Sequence, residues 1–156
     1  MSVPARRVAE SAGADHPYRV VGRLIRQVTT SMMRRVDQRM QPLNLTAWQW
    51  QPLLHLSLGK VDTVAALARD IQVDCGAMTR MLDRLEDKGL VRRQRSETDR
   101  RVVHLHLTPA GRKVAQEIMP IVIEELGVHL RGFNKAELKT LTALLTRMVR
   151  NGAADA

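Results

Sequence analysis

The sequence predicts a mainly α-helical protein with one small β-hairpin. Through most of the chain, apolar residues recur at three- and four-residue steps, the spacing of a helix with one buried face. Alternating apolar and polar residues, which indicate a strand, occur in one short stretch near residues 91–107. The length of 156 residues, with 44% of them hydrophobic, suits a single domain with its own core.

Charge and composition narrow the functional class. The 25 Lys and Arg residues against 16 Asp and Glu give a formal net charge of +9, which indicates an anionic polymer as the partner. Aromatic residues make up 3% of the chain, so a protein that binds single strands by stacking bases is not expected. One cysteine excludes a disulfide framework. Without a signal peptide or a run of about 18 apolar residues, we expect a cytoplasmic protein with no membrane span.

The N-terminal third predicts an arm followed by two helices. Residues 1–16 are small and polar without a sustained period and predict a flexible N-terminal arm. A first helix is predicted over residues 17–40, because its apolar pattern stops just before Pro42. The segment from Thr46 to Gln49 has the form of a capping box that begins a second helix, which Gly59 ends.

Two further helices are predicted next. Thr63 caps a short helix over residues 64–70, and Asp74 caps a longer one that Gly89 ends. The inward face of the longer helix is an apolar series at steps of three and four: Met78, Met81, Leu82 and Leu85. Two such helices joined by a tight turn have the proportions of a helix-turn-helix.

Two strands complete this lobe. Residues 91–95 and 101–107 are predicted strands, joined by the polar loop 96–100. A hairpin that follows a helix-turn-helix is the arrangement of a winged helix-turn-helix. We therefore expect a DNA-binding lobe over about residues 46–108.

The C-terminal part predicts two more helices. Thr108 is predicted to cap a fifth helix that has Pro109 at its first position. Pro120 is expected to bend or interrupt this helix. Helices over residues 17–40 and 109–150 carry more apolar surface than a solitary surface helix needs, so they are predicted to pack against a second copy of the chain. A monomeric bundle is the alternative. Residues 151–156 are expected to form a tail.

The fourth helix carries the candidate DNA-reading residues. The face opposite its apolar stripe holds Gly76, Thr79, Arg80, Asp83 and Arg84. The planar fork of Arg fits guanine O6 and N7 in the major groove, and a helix N-terminus favours a phosphate oxygen. A solvated charged face with its own carboxylate partners is the alternative.

The hairpin supplies a second basic element. Residues 92–101 contain five Arg and only two carboxylates, and narrow minor grooves attract Arg. Arg100 and Arg101 are therefore candidate DNA contacts. Asp99 is better placed to orient Arg101 than to meet DNA. A fully solvated loop is the alternative.

An ordered series of motifs resembles the MarR family of bacterial transcriptional regulators. The matching segments are residues 22–25, 42–46, 73–85, 88–91, 99–101 and 105–111. The resemblance spans roughly residues 18–150 and implies a single domain over residues 17–150. It implies a homodimeric repressor of transcription, bound to a pseudo-palindromic double-stranded DNA operator. A small phenolic or aromatic effector would release that operator.

The resemblance also assigns residues by position. It places recognition-helix contacts at Thr79, Arg80 and Arg84, and a wing contact at Arg101. For Arg93, at the base of the wing, the resemblance implies a contact with either DNA or an effector.

An effector pocket is expected near the start of the second helix. Trp48, Trp50, Met33 and His55 are its candidate lining residues, because a flat aromatic ligand needs apolar and aromatic walls. Trp50 is equally well explained as a core residue.

Other chemistry finds weaker support. Cys75, in the first turn of the fourth helix, would suit an oxidant sensor. His104 and His106 would suit a metal sensor, but two imidazoles without a third ligand are a weak signal. The sequence contains no motif for phosphate-binding loops, nucleophile elbows or zinc proteases, so we expect no catalytic residues, cofactor or metal. Two alternative functions remain. One is a sequence-tolerant, nucleoid-type DNA binder, and the other is an oxidant- or metal-responsive regulator of the same fold.

Overall fold

The computed structural model describes residues 16–46, 48–59, 61–96, 98 and 102–154. Of the expected N-terminal arm, only His16 is among them, and of the expected C-terminal tail, residues 151–154. The structure contains six α-helices and two strands within these residues: α1 Pro17–Met40, α2 Trp50–Ser57, α3 Val64–Ile71, α4 Cys75–Asp87, β1 Val91–Arg95, β2 Val103–Leu107, α5 Pro109–His129 and α6 Lys135–Ala154. A 3-10 turn, Gln41–Leu43, follows α1. This order confirms the expected mainly α-helical fold with one small hairpin.

Three of the expected helix caps are present. The side chain of Thr63 accepts a hydrogen bond from the amide of Ala66 at 3.3 Å, and that of Asp74 accepts one from Ala77 at 2.8 Å. Thr108 does the same for Gly111 at 3.0 Å. Each cap satisfies a backbone N–H that the first turn of a helix leaves without a partner.

The start of α2 differs from the expectation. The side-chain oxygen of Gln49 does accept the amide of Thr46 at 3.0 Å, which is one half of a capping box. The helix nevertheless begins only at Trp50, because Trp48 has a φ of 68°. A left-handed residue cannot continue an α-helix, so the box closes a turn that precedes α2.

The two C-terminal helices are both continuous. Of the two effects expected of Pro120, interruption does not occur, because α5 runs from Pro109 to His129. The exposed Pro120 removes one hydrogen bond, and the buried Ile118 beside it holds the helix against the core. Helix α6 runs to Ala154, into the expected tail.

The core lies between the C-terminal half of α1, helices α2 to α5, and the start of the hairpin. Both α1 and α2 pack along α5, and α3 packs against α4. The buried apolar residues are Val36, Met40, Leu45, Trp50, Leu53, Leu54, Leu67, Ala68, Met78, Leu82, Leu85, Leu90, Val91, Leu105, Ala115 and Ile118. None of the described helices is long and apolar enough to cross a membrane.

The hairpin is antiparallel, with Val91 opposite Leu107 and Arg95 opposite Val103. Its second strand also joins the segment before α3. The amide of Leu105 donates to the carbonyl oxygen of Asp62 at 2.6 Å, so β2 fixes the wing to the segment that leads into α3.

A buried carboxylate connects α1 to α5. Glu125 is 4% exposed and accepts hydrogen bonds from Arg35 at 2.6 Å and Arg39 at 3.0 Å. Burial raises the pKa of this carboxyl, but the hydrogen bonds and charges of the two arginines outweigh burial, and the pKa lies below its ordinary value. The apolar periodicity of the two helices gave no sign of this contact.

Candidate nucleic-acid interface

Helix α4 is fixed on three sides. Asp74 caps its N-terminus, and Met78, Leu82 and Leu85 are fully buried beneath it. At its C-terminal end the chain turns at Gly89, whose φ is 69°. Because these contacts determine the position of the helix, its outer face is presented in one orientation.

That outer face carries the expected residues. Gly76, Thr79, Arg80 and Arg84 are all exposed. The hydroxyl of Thr79 donates to the carbonyl oxygen of Cys75 at 2.8 Å. Arg80 and Arg84 lie one turn apart on the same face. Within the described part of the chain, neither of them forms an ion pair with a carboxylate.

Gly76 lies close to the guanidinium of one of these arginines. A Cβ at this glycine would lie 3.5 Å from Nη1 of Arg80 and 3.1 Å from the Asp74 carboxylate. The guanidinium of Arg80 therefore lies close to the N-terminal turn of α4.

Arg93 has a different environment from the other arginines. Its Nη1 donates to Asp83 at 2.6 Å and to Glu86 at 2.9 Å, and its Nη2 donates to the carbonyl oxygen of Thr79 at 3.1 Å. Its backbone amide also donates to Glu86, at 3.1 Å. In the sequence Arg93 was a candidate contact for DNA or effector. Here its side chain holds the base of the wing against α4.

The remaining wing residues are only partly described. Arg92 and Arg95 are exposed on β1. Asp99, Arg100 and Arg101, the other predicted wing contacts, lie outside the described residues. The part of the wing that the structure describes thus adds two exposed guanidinium groups to those of α4.

Two of the four predicted effector-pocket residues line one cavity. A cavity of about 550 Å³ lies between α1 and the segment that leads into α2, and Met33 and Trp48 form part of its wall. Its other lining residues are Thr29, Thr30, Arg34, Asp37, Gln38, Gln41, Leu45 and Thr46. Most of them lie on one face of α1, which its apolar periodicity did not single out.

The other two predicted pocket residues have structural roles. Trp50 is 5% exposed, and its indole Nε1–H donates to Asp37 at 2.9 Å. This confirms the core interpretation of Trp50. His55 instead contacts α3, with its Nδ1 2.5 Å from a carboxylate oxygen of Asp70.

The side chains considered for sensing are dispersed. Cys75 is an exposed free cysteine. His104 has its Nδ1 2.8 Å from a carboxylate oxygen of Asp62. Among the residues that the structure describes, no three His, Cys, Asp or Glu side chains are grouped as a metal site would require.

Comparisons with known proteins agree with this geometry. The model of the MarR family matches residues 54–103, which run from α2 into β2. The multiple antibiotic resistance protein MarR of Escherichia coli (strain K12) is 33% identical over 130 residues, covering 83% of this chain and 90% of that protein. The MarR of Salmonella typhimurium (strain LT2) is 32% identical over the same length.

Solved structures show the same fold. A crystal structure of a mutant E. coli MarR in complex with operator DNA superimposes with a TM-score of 0.76 at 30% identity, covering 88% of this chain and 99% of that one. The S. aureus MepR–DNA complex, at 23% identity, shares the fold with a TM-score of 0.75 over 83% of this chain and 96% of its own. Sequence identity over most of both chains, together with the shared winged-helix fold, shows that this chain belongs to the MarR family of transcriptional regulators.

Proposed function

We propose that the protein is a homodimeric repressor that binds a pseudo-palindromic DNA operator and releases it when a small aromatic effector binds. The observation that carries this proposal is the outer face of α4. It is a rigidly anchored helix face on which Arg80 and Arg84 stand exposed and unpaired within the described residues.

The face of α4 suits the major groove. Two guanidinium groups one turn apart provide planar donors that match guanine edges or phosphates. The net charge of +9 adds a general attraction to duplex DNA. The relative of known structure that is bound to operator DNA supports this use of the fold.

Exposed apolar faces support a homodimer. Helix α6 has no buried residue among its described side chains, and it packs only marginally on the rest of the described chain. Large apolar residues stand exposed on the first half of α1, the end of α5 and along α6: Tyr18, Val21, Leu24, Ile25, Val28, Ile123, Leu126, Val128, Leu144, Leu145, Met148 and Val149. A second copy would cover these faces by two-fold symmetry and would place two α4 helices against two half-sites.

The cavity beside α1 supports an effector site. Its wall combines the exposed indole of Trp48 with Met33 and the polar groups of Arg34 and Asp37. A flat aromatic compound with one polar or anionic substituent fits such a wall. If the effector lowers DNA affinity, DNA must lower effector affinity by the same factor.

Fluorescence anisotropy tests the proposal. The purified protein is titrated against duplex from the region upstream of its own gene and against a shuffled duplex of the same composition, at several salt concentrations. We expect tighter binding to the upstream duplex by about 10³-fold. Equal and steeply salt-dependent affinities would favour the nucleoid-type alternative, and no binding at all would contradict DNA binding.

A further inference from the structure

The side chain of Lys88 connects the recognition helix to a distant part of the chain. Lys88 is the C-terminal cap residue of α4. Its ammonium donates to the carbonyl oxygen of Asn44 and, at 2.9 Å, to the side-chain oxygen of Gln49. Both acceptors belong to the segment between α1 and α2, about 40 residues away in sequence.

The same segment forms a wall of the cavity. Leu45, Thr46 and Trp48, which lie between the two acceptors of Lys88, all line it. The side-chain oxygen of Gln49 that accepts from Lys88 also accepts from the amide of Thr46, at 3.0 Å. One buried oxygen thus binds both the cavity wall and the end of α4.

The segment is well suited to transmit a displacement. Asn44 and Trp48 both have positive φ, 55° and 68°, a backbone conformation that residues other than glycine seldom adopt. Gln49 is 3% exposed, and a buried polar group that loses its partner is costly. A movement of Trp48 or Thr46 is therefore expected to carry Gln49 and Lys88 with it instead of breaking these bonds.

We propose that Lys88 is the positioning residue that couples the cavity to the recognition helix. It holds the C-terminal end of α4 to the cavity wall, so that a change at the wall alters where α4 presents Arg80 and Arg84. This inference rests on the proposed function, since it assigns the route by which an effector and DNA oppose each other.

The reciprocity of coupling allows a test without an effector. If the wall moves α4, then DNA bound to α4 must alter the wall. Trp48 is 43% exposed and Trp50 is 5% exposed, so acrylamide quenching of the native protein reports mainly on Trp48. The probe is a duplex selected for tight binding from a randomised pool. We expect this duplex to change the quenching constant of the wild type, and Lys88→Met to lose most of that change while it still binds the duplex.

Matched variants separate coupling from a loss of charge or of structure. Lys139→Met removes a positive charge from the exposed surface of α6 and should retain the full change in quenching. Gln49→Glu keeps an oxygen that accepts from both Lys88 and Thr46 and should also retain it. Gln49→Leu removes that acceptor and should behave as Lys88→Met does. Circular dichroism of each variant verifies that it is folded.

The possible results are distinct. Failure of the wild type to bind any duplex would overturn the proposed function and this inference together. Duplex binding without any change in wild-type quenching, or with the same change in Lys88→Met, would overturn the role of Lys88 alone. If Lys88→Met does not fold, the comparison of Gln49→Glu with Gln49→Leu decides, and equal changes in those two would contradict the proposal.

Discussion

Arg84 and Arg93 are neighbouring arginines with different surroundings. Both lie near the outer face of α4, but Arg93 donates to two carboxylates and a carbonyl oxygen, whereas Arg84 is exposed and has no carboxylate partner among the described residues. A guanidinium already engaged within the protein has few donors left for DNA. The sequence offers both residues as candidate DNA contacts, and only their contacts in the structure distinguish the exposed guanidinium of Arg84 from that of Arg93, which holds the wing.

Replacing Arg84 tests the DNA face. We expect Arg84→Ala to cost about 1–3 kcal/mol of binding free energy on the selected operator and to relax base preference at one position of each half-site, because a bidentate contact to a base would be lost. Anisotropy titrations against single-base variants of the operator measure both effects. Arg131→Ala, which removes an exposed arginine from the turn after α5, is the control and should bind as the wild type does. Equal losses on every sequence would instead assign Arg84 to a phosphate.

At the scale of single elements, the sequence predicted what local chemistry controls. The caps at Thr63, Asp74 and Thr108 formed as expected, because each depends on residues within one turn. The start of α2 was not predictable, since the left-handed Trp48 is a non-glycine residue with no local signal. The contact of Glu125 with α1 was equally hidden, because it joins residues that are far apart in sequence.

Prediction of the outer face of α4 also depended on whether the contacts were local or long-range. Arg80, Arg84 and Thr79 were found from helical spacing, and the structure places them together on one exposed face. The hydrogen bonds of Lys88 were not predictable, because its acceptors lie in another element and residue spacing along α4 does not indicate them.

The junction of the hairpin with α5 depends on a glycine. A Cβ at Gly111 would collide with the carbonyl oxygen of Leu90, which the amide of Thr108 also needs as an acceptor at 3.1 Å. We expect Gly111→Ala to destabilise the fold by about 1–3 kcal/mol, the usual cost of overpacking, despite the better helix propensity of alanine. Urea denaturation measures the change. At Gly152 a Cβ meets nothing within 4 Å, so Gly152→Ala should keep or slightly raise the midpoint, and equal effects of the two substitutions would contradict the steric argument.

The packing of α1 on α5 should depend on pH. Glu125 has a folded pKa below its ordinary value of 4.5, so its ionised form stabilises the folded state above that value. This contribution is lost as the pH falls through the lowered pKa. In thermal unfolding followed over acidic pH, we expect Glu125→Gln to start from a lower midpoint at neutral pH and to lose less of it on acidification than the wild type. Glu117→Gln, on an exposed position of the same helix, should follow the wild-type curve. Parallel curves for Glu125→Gln and the wild type would contradict this assignment.

At the scale of the whole molecule, the chain separates into a covered half and an uncovered half. One core joins the helix-turn-helix and the wing to α2, the C-terminal half of α1 and the first half of α5. The first half of α1, the end of α5 and all of α6 expose apolar side chains instead. Exposed large apolar side chains on three segments support the proposed packing against a second copy. In the proposed dimer, that copy would also supply the second α4 for a two-fold symmetric operator.

A charge placed on α6 tests this assembly. Leu145 is 45% exposed and lies on the apolar stripe of α6, where it contributes little to the core of its own chain. We expect Leu145→Asp to shift the mass measured by light scattering from twice the 17.6 kDa of the chain to once that value, because an interface between copies would bury an unpaired carboxylate. Operator affinity should fall with it, since each monomer then binds one half-site without its partner. Arg147→Ala changes an exposed residue on the same helix without adding a charge to the stripe, and should remain dimeric. A Leu145→Asp protein that keeps the dimer mass would show that α6 lies outside the interface, and the exposed stripe would then need a different explanation.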